Sequence, residues 1–175
     1  MNGALAHMPV LNTERLTLRP PVAEDWAAYK AYRHSPRSTL PDGLAPGEIW
    51  THFAAFFGHW QLRGFGRFIM VETTTRRAIG HVGPYFPDDW QEPELTWTLW
   101  HKDFEGRGLA YEAALAARTH AYHHLGWKTA VSYIDGSNSR SIALANRLGA
   151  QLERTDPGKI RPFDVYRHPM LGAHA

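Results

Sequence analysis

The chain has 175 residues, a length that suits one compact domain with a substantial core. Its 19 basic and 17 acidic residues give a formal net charge of only +2, and the basic residues are scattered, so we expect no nucleic-acid partner. Cysteine is absent, which excludes disulfides, cysteine metal ligands and a cysteine acyl-enzyme. The first eight residues lack a secretory pattern and no apolar run approaches the roughly 20 residues of a membrane span, so we expect a cytoplasmic protein without a membrane partner.

The first third of the chain predicts one strand, two helices and a loop. Residues 15–19 alternate between polar and apolar side chains, which is typical of a half-buried strand, and two prolines end it. Aromatic and alanine residues at helical spacing predict a helix over 22–33. Three prolines and a glycine make 35–46 a loop, and 47–62 is predicted as a helix with a broad aromatic face.

The middle of the chain predicts three strands. Two of them, 67–72 and 78–85, are joined by a polar hairpin connection over 73–77, and a loop follows over 84–93. The third strand, 94–100, alternates strongly. It places Leu95, Trp97 and Leu99 on one face, and Glu94, Thr96 and Thr98 on the other.

The last part of the chain predicts two helices and three strands. The first helix, 108–125, is rich in alanine, lies close against a sheet and ends at Gly126. The remaining elements are a strand over 129–134, a helix over 139–148, and short strands over 151–154 and 163–167. This order indicates an α/β (α+β) fold whose sheet is mainly antiparallel and contains one βαβ crossover.

The turn at 105–110 is the most informative segment. A strand runs into it, and it opens directly into the alanine-rich helix, so the first free N–H groups of that helix point at one spot with the positive end of the dipole behind them. Gly106 and Gly108 permit backbone angles and close approach that a side chain would block, and Arg107 adds a positive charge. The turn therefore predicts a phosphate cradle, the alternative being a tight turn that binds nothing. A dinucleotide fingerprint is excluded because Tyr111 stands where a third glycine is needed.

The same segment carries a family resemblance. Residues 106–113, Gly-Arg-Gly-Leu-Ala-Tyr-Glu-Ala, resemble the acetyl-CoA loop of the GNAT superfamily, and most of all its RimJ/RimL-like branch of ribosomal-protein N-terminal acetyltransferases. Residues 11–19, 94–99 and 138–150 resemble the opening strand, the fourth strand and the Asn-x-x-Ser helix of that branch, in the same order. The resemblance implies a single GNAT domain over 1–175, with its core at about 10–168. Its mixed, mostly antiparallel sheet has six to seven strands and carries about four helices on its two faces.

The resemblance also implies a set of acetyl-CoA contacts and no metal. The backbone N–H of Leu99 or Trp100 binds the oxyanion of the tetrahedral intermediate. Asn138 bonds the pantetheine arm or adjacent backbone, and it also suits the N-cap of the 139–148 helix. The pyrophosphate lies on Gly106, Arg107, Gly108, Leu109 and Ala110.

Glu94 is the candidate general base, directly or through a water. A primary amine attacks only when it is neutral, and free alkylamines are mostly protonated at neutral pH. The family branch often places its glutamate at this position. The alternatives are a solvated strand-end carboxylate, an amine that arrives neutral, and His101 as a second base.

Ser141 is the candidate for stabilising the CoA thiolate as it leaves. The tyrosine that often follows seven residues after the asparagine in the superfamily is replaced here by Ala145. A serine takes this role in the RimL-like branch, and Tyr166 is a weaker substitute. A second departure is Glu105, where the superfamily usually has Gln or Arg. A carboxylate beside a pyrophosphate is repulsive unless it points away.

Other features are assigned less specific roles. His120, His123 and His124 share a helix, but no carboxylate nearby completes a metal site. The loops 35–46, 84–93 and 155–162 are expected to build the acceptor groove, with Trp50 and Trp90 near it. Three acids of the 84–93 loop either attract a cationic amine or belong to a solvated loop, and these are Asp88, Asp89 and Glu92.

The sequence therefore predicts an enzyme that moves acetyl from acetyl-CoA to a primary amine by direct attack in a ternary complex. The acceptor is a protein N-terminus or a small-molecule amine, and a homodimer is possible. The alternative is a non-catalytic acyl-CoA-binding or sensor module, in which Glu94 and Ser141 are incidental. A third interpretation is a structural α/β protein without a CoA site.

Overall fold

The fold is described from a computed structural model, over residues 8–38, 43–158 and 162–170. The helices are α1 (Trp26–Arg33), α2 (Pro46–Arg63), α3 (Leu109–His124) and α4 (Ser139–Arg147), and short 3-10 helices span Ala23–Asp25 and Lys102–Phe104. The strands are β1 (Leu11–Asn12), β2 (Leu16–Arg19), β3 (Phe68–Glu72), β4 (Ala78–Tyr85), β5 (Glu94–Leu99), β6 (Val131–Ile134), β7 (Gln151–Asp156) and β8 (Phe163–Arg167).

The eight strands form one sheet in the order β1-β2-β3-β4-β5-β6-β8-β7. Neighbouring strands are antiparallel except β5 and β6, which are parallel and joined by the crossover through α3. The α/β class, the mainly antiparallel sheet and the four helices are confirmed. The count of six to seven strands is wrong, because Leu11 and Asn12 pair with Leu18 and Thr17 as an eighth strand too short to show periodicity.

Local sequence explains where the helices begin. At α2, Pro46 occupies the first turn and the Glu48 carboxylate accepts a hydrogen bond from the Ala45 backbone N–H at 2.7 Å. At α4, the Asn138 side chain accepts one from the Ser141 N–H at 3.1 Å, so the predicted N-cap is confirmed. The predicted helix over 22–33 divides into the first 3-10 turn and α1.

The two faces of the sheet carry different cores. One face packs against α1 and α2 through an aromatic cluster that includes Tyr29, Phe53, Phe56 and Trp100. The other face packs against α3, whose fully buried alanines let the helix lie close to the sheet, as predicted. These are Ala113, Ala114 and Ala117.

The 84–93 loop and the polar hairpin at 73–77 lie where the sequence places them. Residues 39–42 of the predicted 35–46 loop and 159–161 of the 155–162 loop lie outside the described residues, as do 1–7 and 171–175. None of the described helices is long and apolar enough to cross a membrane.

Candidate active site

The sheet opens between β5 and β6. The two strands are in register at Glu94 and Val131, near the start of both. Beyond that pair the Ser132 hydroxyl, rather than a backbone N–H of β6, donates to the carbonyl oxygen of Leu95 at 2.6 Å. The strands separate from this point, and the edge of β5 that faces β6 borders a cleft.

Backbone geometry decides which N–H groups of β5 face this cleft. Alternate residues of β5 bond to β4, and the N–H of Trp100 donates to the carbonyl oxygen of Ile79 at 2.7 Å. The prediction that Trp100 donates to an oxyanion is therefore wrong, because its N–H belongs to the β4–β5 ladder and its side chain is 2% exposed. The N–H groups of Trp97 and Leu99 point the other way, toward the opening.

A cleft of about 410 Å³ occupies the opening. It joins β5, the glycine turn and the start of α4, which are separate in the sequence. Of the predicted cofactor residues it brings together Leu99, Gly106, Gly108, Leu109, Ala110, Asn138 and Ser141.

The glycine turn has the backbone geometry of an anion cradle. Gly106 and Gly108 have φ values of 68° and 76°, in the left-handed region that favours glycine. α3 begins at the next residue, so its unpaired N–H groups open at the cleft. The Glu112 carboxylate fixes this first turn of α3 to the start of the chain, since it accepts hydrogen bonds from the Thr13 hydroxyl at 2.6 Å and the Arg15 N–H at 2.8 Å.

The Arg107 side chain does not line this cleft. It lines a neighbouring cavity of about 610 Å³. Its guanidinium lies 3.8 Å from the Glu72 carboxylate and 5.2 Å from the ring centre of Phe104. Arg107 can therefore bind the cofactor through its backbone. Its side chain can do so only if the ion pair with Glu72 opens.

Glu105 bridges the mouth of the cleft. Its Oε1 accepts hydrogen bonds from Arg37 at 2.5 Å and from Arg140 at 2.6 Å. Arg37 also donates to the carbonyl oxygen of Leu99 at 3.3 Å. The hydrogen bond from Arg37 is the main cause that holds the pKa of the Glu105 carboxyl below its usual value. Two arginines thus neutralise the carboxylate that the sequence places, unfavourably, beside a pyrophosphate.

Ser141 lies between the cap of α4 and the wall of the cleft. Its backbone N–H is held by Asn138, and its Oγ accepts a hydrogen bond from the Trp97 indole N–H at 3.4 Å. The hydroxyl hydrogen is left to donate into the cleft. Tyr166, the weaker substitute, is 6% exposed within a small apolar cluster and does not line the cleft.

Glu94 is buried at the base of the opening. Its side chain is 7% exposed, which removes the interpretation as a solvated strand-end carboxylate. Burial raises the pKa of Glu94 to about 7, against the lowering effects of the Trp90 indole N–H at 3.0 Å, the Arg67 charge and the Tyr133 backbone N–H. A carboxyl group with this pKa gains and loses a proton readily near neutral pH.

His101 lies at the other end of β5. Glu94 and His101 are seven positions apart in the sequence, so at about 3.3 Å per residue of strand their Cα atoms are roughly 23 Å apart. Burial lowers the pKa of His101. The two candidate bases therefore lie at opposite ends of β5, Glu94 where the strands part and His101 two residues beyond Leu99.

Aromatic side chains surround Glu94 on the α1/α2 face. The Trp90 ring lies 6.0 Å from Tyr85 and 5.4 Å from Tyr133, and Tyr133 lies 5.1 Å from Phe163. Trp90 thus lies beside Glu94, whereas Trp50 is 58% exposed, and the place of both in an acceptor groove stays a prediction.

Acidic residues of the 84–93 loop have basic partners. Asp88 lies 3.3 Å from Arg63, and Glu92 accepts a hydrogen bond from Arg167 at 2.6 Å. These contacts favour structural roles for the two acids over attraction of a cationic amine. His120 stacks on His124 at 4.9 Å, and the described residues contain no group of three or more side chains suited to a metal.

Residues 15–151 match the family model for the acetyltransferase (GNAT) domain. The chain belongs to the GNAT acetyltransferase family. Its structure is similar to an acetyltransferase from Agrobacterium tumefaciens, at 38% identity, with 91% of this chain and 94% of the other covered and a TM-score of 0.81. A GNAT-family acetyltransferase from Bordetella pertussis is 24% identical, with 91% and 99% covered and a TM-score of 0.79. The ribosomal-protein-S5-alanine acetyltransferase from Vibrio fischeri shares the fold at 13% identity, with 95% and 100% covered and a TM-score of 0.73.

Sequence reasoning missed several residues of this GNAT acetyltransferase site. Arg37 lies 68 residues from Glu105 in the sequence, so no local pattern signals their contact. Trp97 was assigned to a strand face but not to the cleft. The cleft is also lined by Tyr111, Arg140 and Arg147. The two arginines could have been predicted, because a cofactor with several phosphates needs positive charge nearby.

Proposed function

We propose that this acetyltransferase moves acetyl from acetyl-CoA to a primary amine by direct attack in a ternary complex, and that it belongs to the RimJ/RimL-like branch and acts in the cytoplasm. The observation that carries the proposal is the opening between β5 and β6. A buried carboxyl group with a pKa near neutrality, Glu94, lies at its base. Glu94 does not itself line the cleft, which begins at Trp97, three residues further along β5, and is lined by the backbone edge and turn that the family uses for CoA.

The cleft offers complementary groups along its length. At the turn, the N–H groups of Gly108, Leu109 and Ala110 face the pyrophosphate. Along β5, the free backbone edge at Trp97 and Leu99 suits the amide groups of the pantetheine arm. Asn138 has its side-chain oxygen engaged at the cap of α4, so the side-chain N–H₂ remains for that arm.

Glu94 begins the reaction. It takes a proton from the acceptor ammonium, directly or through a water, and the freed nitrogen lone pair attacks the thioester carbonyl carbon. A cleft-side N–H of β5 donates to the oxygen as it becomes negative: that of Leu99 where waters link the amine to Glu94, or that of Trp97, three residues from Glu94, where the contact is direct. When the carbonyl re-forms, the carbon–sulfur bond breaks and its electron pair stays on sulfur. Ser141 donates a hydrogen bond to this thiolate, and the amide nitrogen releases its remaining proton to solvent.

Thiol release from acetyl-CoA across a panel of primary amines, measured between pH 6 and 9, tests the proposal. Because Glu94 must be ionised, kcat/KM should rise about tenfold per pH unit below 7 and level off above it. Glu94→Gln should lower kcat/KM most at low pH and remove the levelling near pH 7, because the variant depends on the neutral amine, whose fraction keeps rising toward pH 9. Ser141→Ala should lower kcat with little effect on acetyl-CoA affinity. Glu24→Gln, at an exposed residue far from the cleft, is the matched control.

The alternative, a non-catalytic acyl-CoA-binding module, predicts a different result from the same samples. Acetyl-CoA would raise the melting temperature, and no amine would release thiol. Gly108→Glu, which puts a carboxylate into the cradle, should abolish the thermal shift in either case. If it does not, the CoA site is wrongly placed.

A further inference from the structure

Arg67 occupies an unusual position beside the proposed catalytic carboxyl. It precedes β3, and its guanidinium carbon lies 3.9 Å from the ring centre of Phe56 and 4.4 Å from that of Tyr85. Two aromatic rings therefore contact the guanidinium group, and contacts of this kind favour a cation. Because the rings contact the guanidinium group, its N–H groups, which lie in the plane of the group, are the part that can bind a planar anion.

This cation lacks an ion-pair partner among the described residues. Its Nε is buried and has no hydrogen-bond acceptor, and no described carboxylate forms a salt bridge with it. The acidic group that acts on its pKa is Glu94, whose effect is smaller than that of burial. Arg67 as a whole is half-buried, so its charge is partly removed from water. A partly desolvated charge without a partner is costly, so we expect such a site to receive its counter-ion from a ligand.

The other ionisable groups near Arg67 do not supply that negative charge. Two are tyrosines, Tyr29 and Tyr85, and burial raises the pKa of Tyr29 further above neutrality. Three are histidines whose pKa values are lowered first by burial and then by nearby cations that include Arg67: His52, His59 and His81. They too are uncharged near neutral pH.

Arg33 adds to the positive charge on the same side. It is 7% exposed, its Nε has no partner, and another nitrogen of its guanidinium donates to the Ser38 hydroxyl. Arg33 and Arg67 both act on the pKa values of Tyr29 and His52, so the two arginines lie near the same side chains. Of the described acids, Glu94 is the one that acts on the pKa of Arg67, whereas Glu48 acts on His52.

We infer that Arg67 binds an anionic group of the acceptor, and that the acceptors are free amino acids, whose carboxylate lies beside the reacting amine. The inference rests on the proposed function, because it assigns a substrate class to the same site. An amino acid is a zwitterion whose ammonium suits Glu94 and whose carboxylate suits the planar fork of Arg67. Polyamines and the N-termini of longer peptides lack that carboxylate beside the reacting amine.

Matched acceptor triplets test this inference. Each contains an amino acid, its amide and the decarboxylated amine, for example phenylalanine, phenylalaninamide and phenethylamine. The enzyme should favour the acid over both relatives by about tenfold or more in kcat/KM, since loss of one partner of a desolvated charge pair has at least this effect. The amide has the less basic amine, so a preference for the acid cannot come from a larger neutral fraction.

Variants assign the preference to Arg67. The variants are assayed at pH 9, where Glu94 is ionised and the loss of the Arg67 charge, which lowers the pKa of Glu94, has the least effect on the base. Arg67→Gln should there lower kcat/KM for the acid about tenfold or more, mainly through KM, and lower it far less for the decarboxylated amine. Arg67→Lys keeps the charge without the fork and should retain part of the preference. Arg63→Gln is the control, because Arg63 is exposed and pairs with Asp88 outside this site. Stabilisation by acetyl-CoA shows whether each variant is folded.

The outcomes separate the inference from the proposed function. If amides and simple amines are acetylated as well as acids, or if Arg67→Gln lowers every acceptor alike, the inference is overturned and acetyl transfer to amines stands. If no member of any triplet releases thiol but another primary amine of the panel does, the inference alone is overturned. If acetyl-CoA binds and no amine of either set releases thiol, both are overturned. Should Arg67→Gln fail to fold, the preference of the unaltered enzyme and the Arg67→Lys variant decide the question.

Discussion

Replacing Glu94 with glutamine should stabilise the protein at alkaline pH and have little effect in acid. The side chain is 7% exposed, and burial raises its pKa from 4.5 to about 7. Glutamine has nearly the same shape, carries no charge and keeps an oxygen that accepts the hydrogen bond from Trp90. The variant therefore removes the cost of ionising a buried carboxyl and changes little else.

The sign and size follow from the linkage between proton binding and folding. A raised pKa means that the folded protein holds the proton more tightly, so the contribution to stability is full below pH 4.5 and is lost as the pH rises through about 7. A shift from 4.5 to about 7 makes the ionised carboxyl cost about 3 kcal/mol at pH 8, and about 1 kcal/mol at pH 5. The free energy of unfolding of Glu94→Gln, relative to that of the parent protein, should thus rise by about 2 kcal/mol from pH 5 to pH 8.

Urea unfolding of the parent and the variant at pH 5, 6.5 and 8 measures this difference. Other titrating groups, such as the buried His168, are present in both proteins and cancel in the comparison. Glu24→Gln, at an exposed carboxyl, should show no such trend. A difference between parent and Glu94→Gln that stays constant with pH would refute the reasoning, because the pKa of Glu94 would then be close to its unfolded value.

Three further predictions concern the packing and charge of the cleft. Gly80→Ala places a Cβ 2.2 Å from a β5 carbonyl oxygen, so the free energy of unfolding in urea should fall by about 1–3 kcal/mol or more. The thermal shift caused by acetyl-CoA should also become smaller. Gly47→Ala, with open space around it, should change neither quantity. Ser132→Ala leaves the ring of His168 and a β5 carbonyl oxygen without their buried hydrogen-bond partner, at 2.9 and 2.6 Å, and should cost about 1–3 kcal/mol; a loss below experimental error would contradict the network. Glu105→Gln removes a carboxylate from the mouth of the cleft and should tighten acetyl-CoA binding about two- to fivefold in calorimetry at low salt, with the gain fading at high salt; weaker binding would show that the bridge between the two arginines is itself needed.

The sequence determined the features that depend on neighbouring residues. Gly106 and Gly108 mark the turn because a left-handed backbone is strained for other residues, and Asn138 marks the start of α4 because its side chain reaches an N–H three residues on. The alanines of α3 predicted close packing on the sheet, and alternation predicted β5. These features give the family and the cofactor cleft.

Only the tertiary structure decided the properties that depend on distant segments. Alternation could not tell that the N–H of Trp100 belongs to the β4 ladder while that of Leu99 faces the cleft, because the direction depends on which strand lies on each side. Nor could it show that Arg37 and Arg140 neutralise Glu105. The raised pKa of Glu94 comes from desolvation by segments far away in the chain, and these segments also leave Arg67 without an ion-pair partner among the described residues. Both properties are set by the packed fold, not by local sequence.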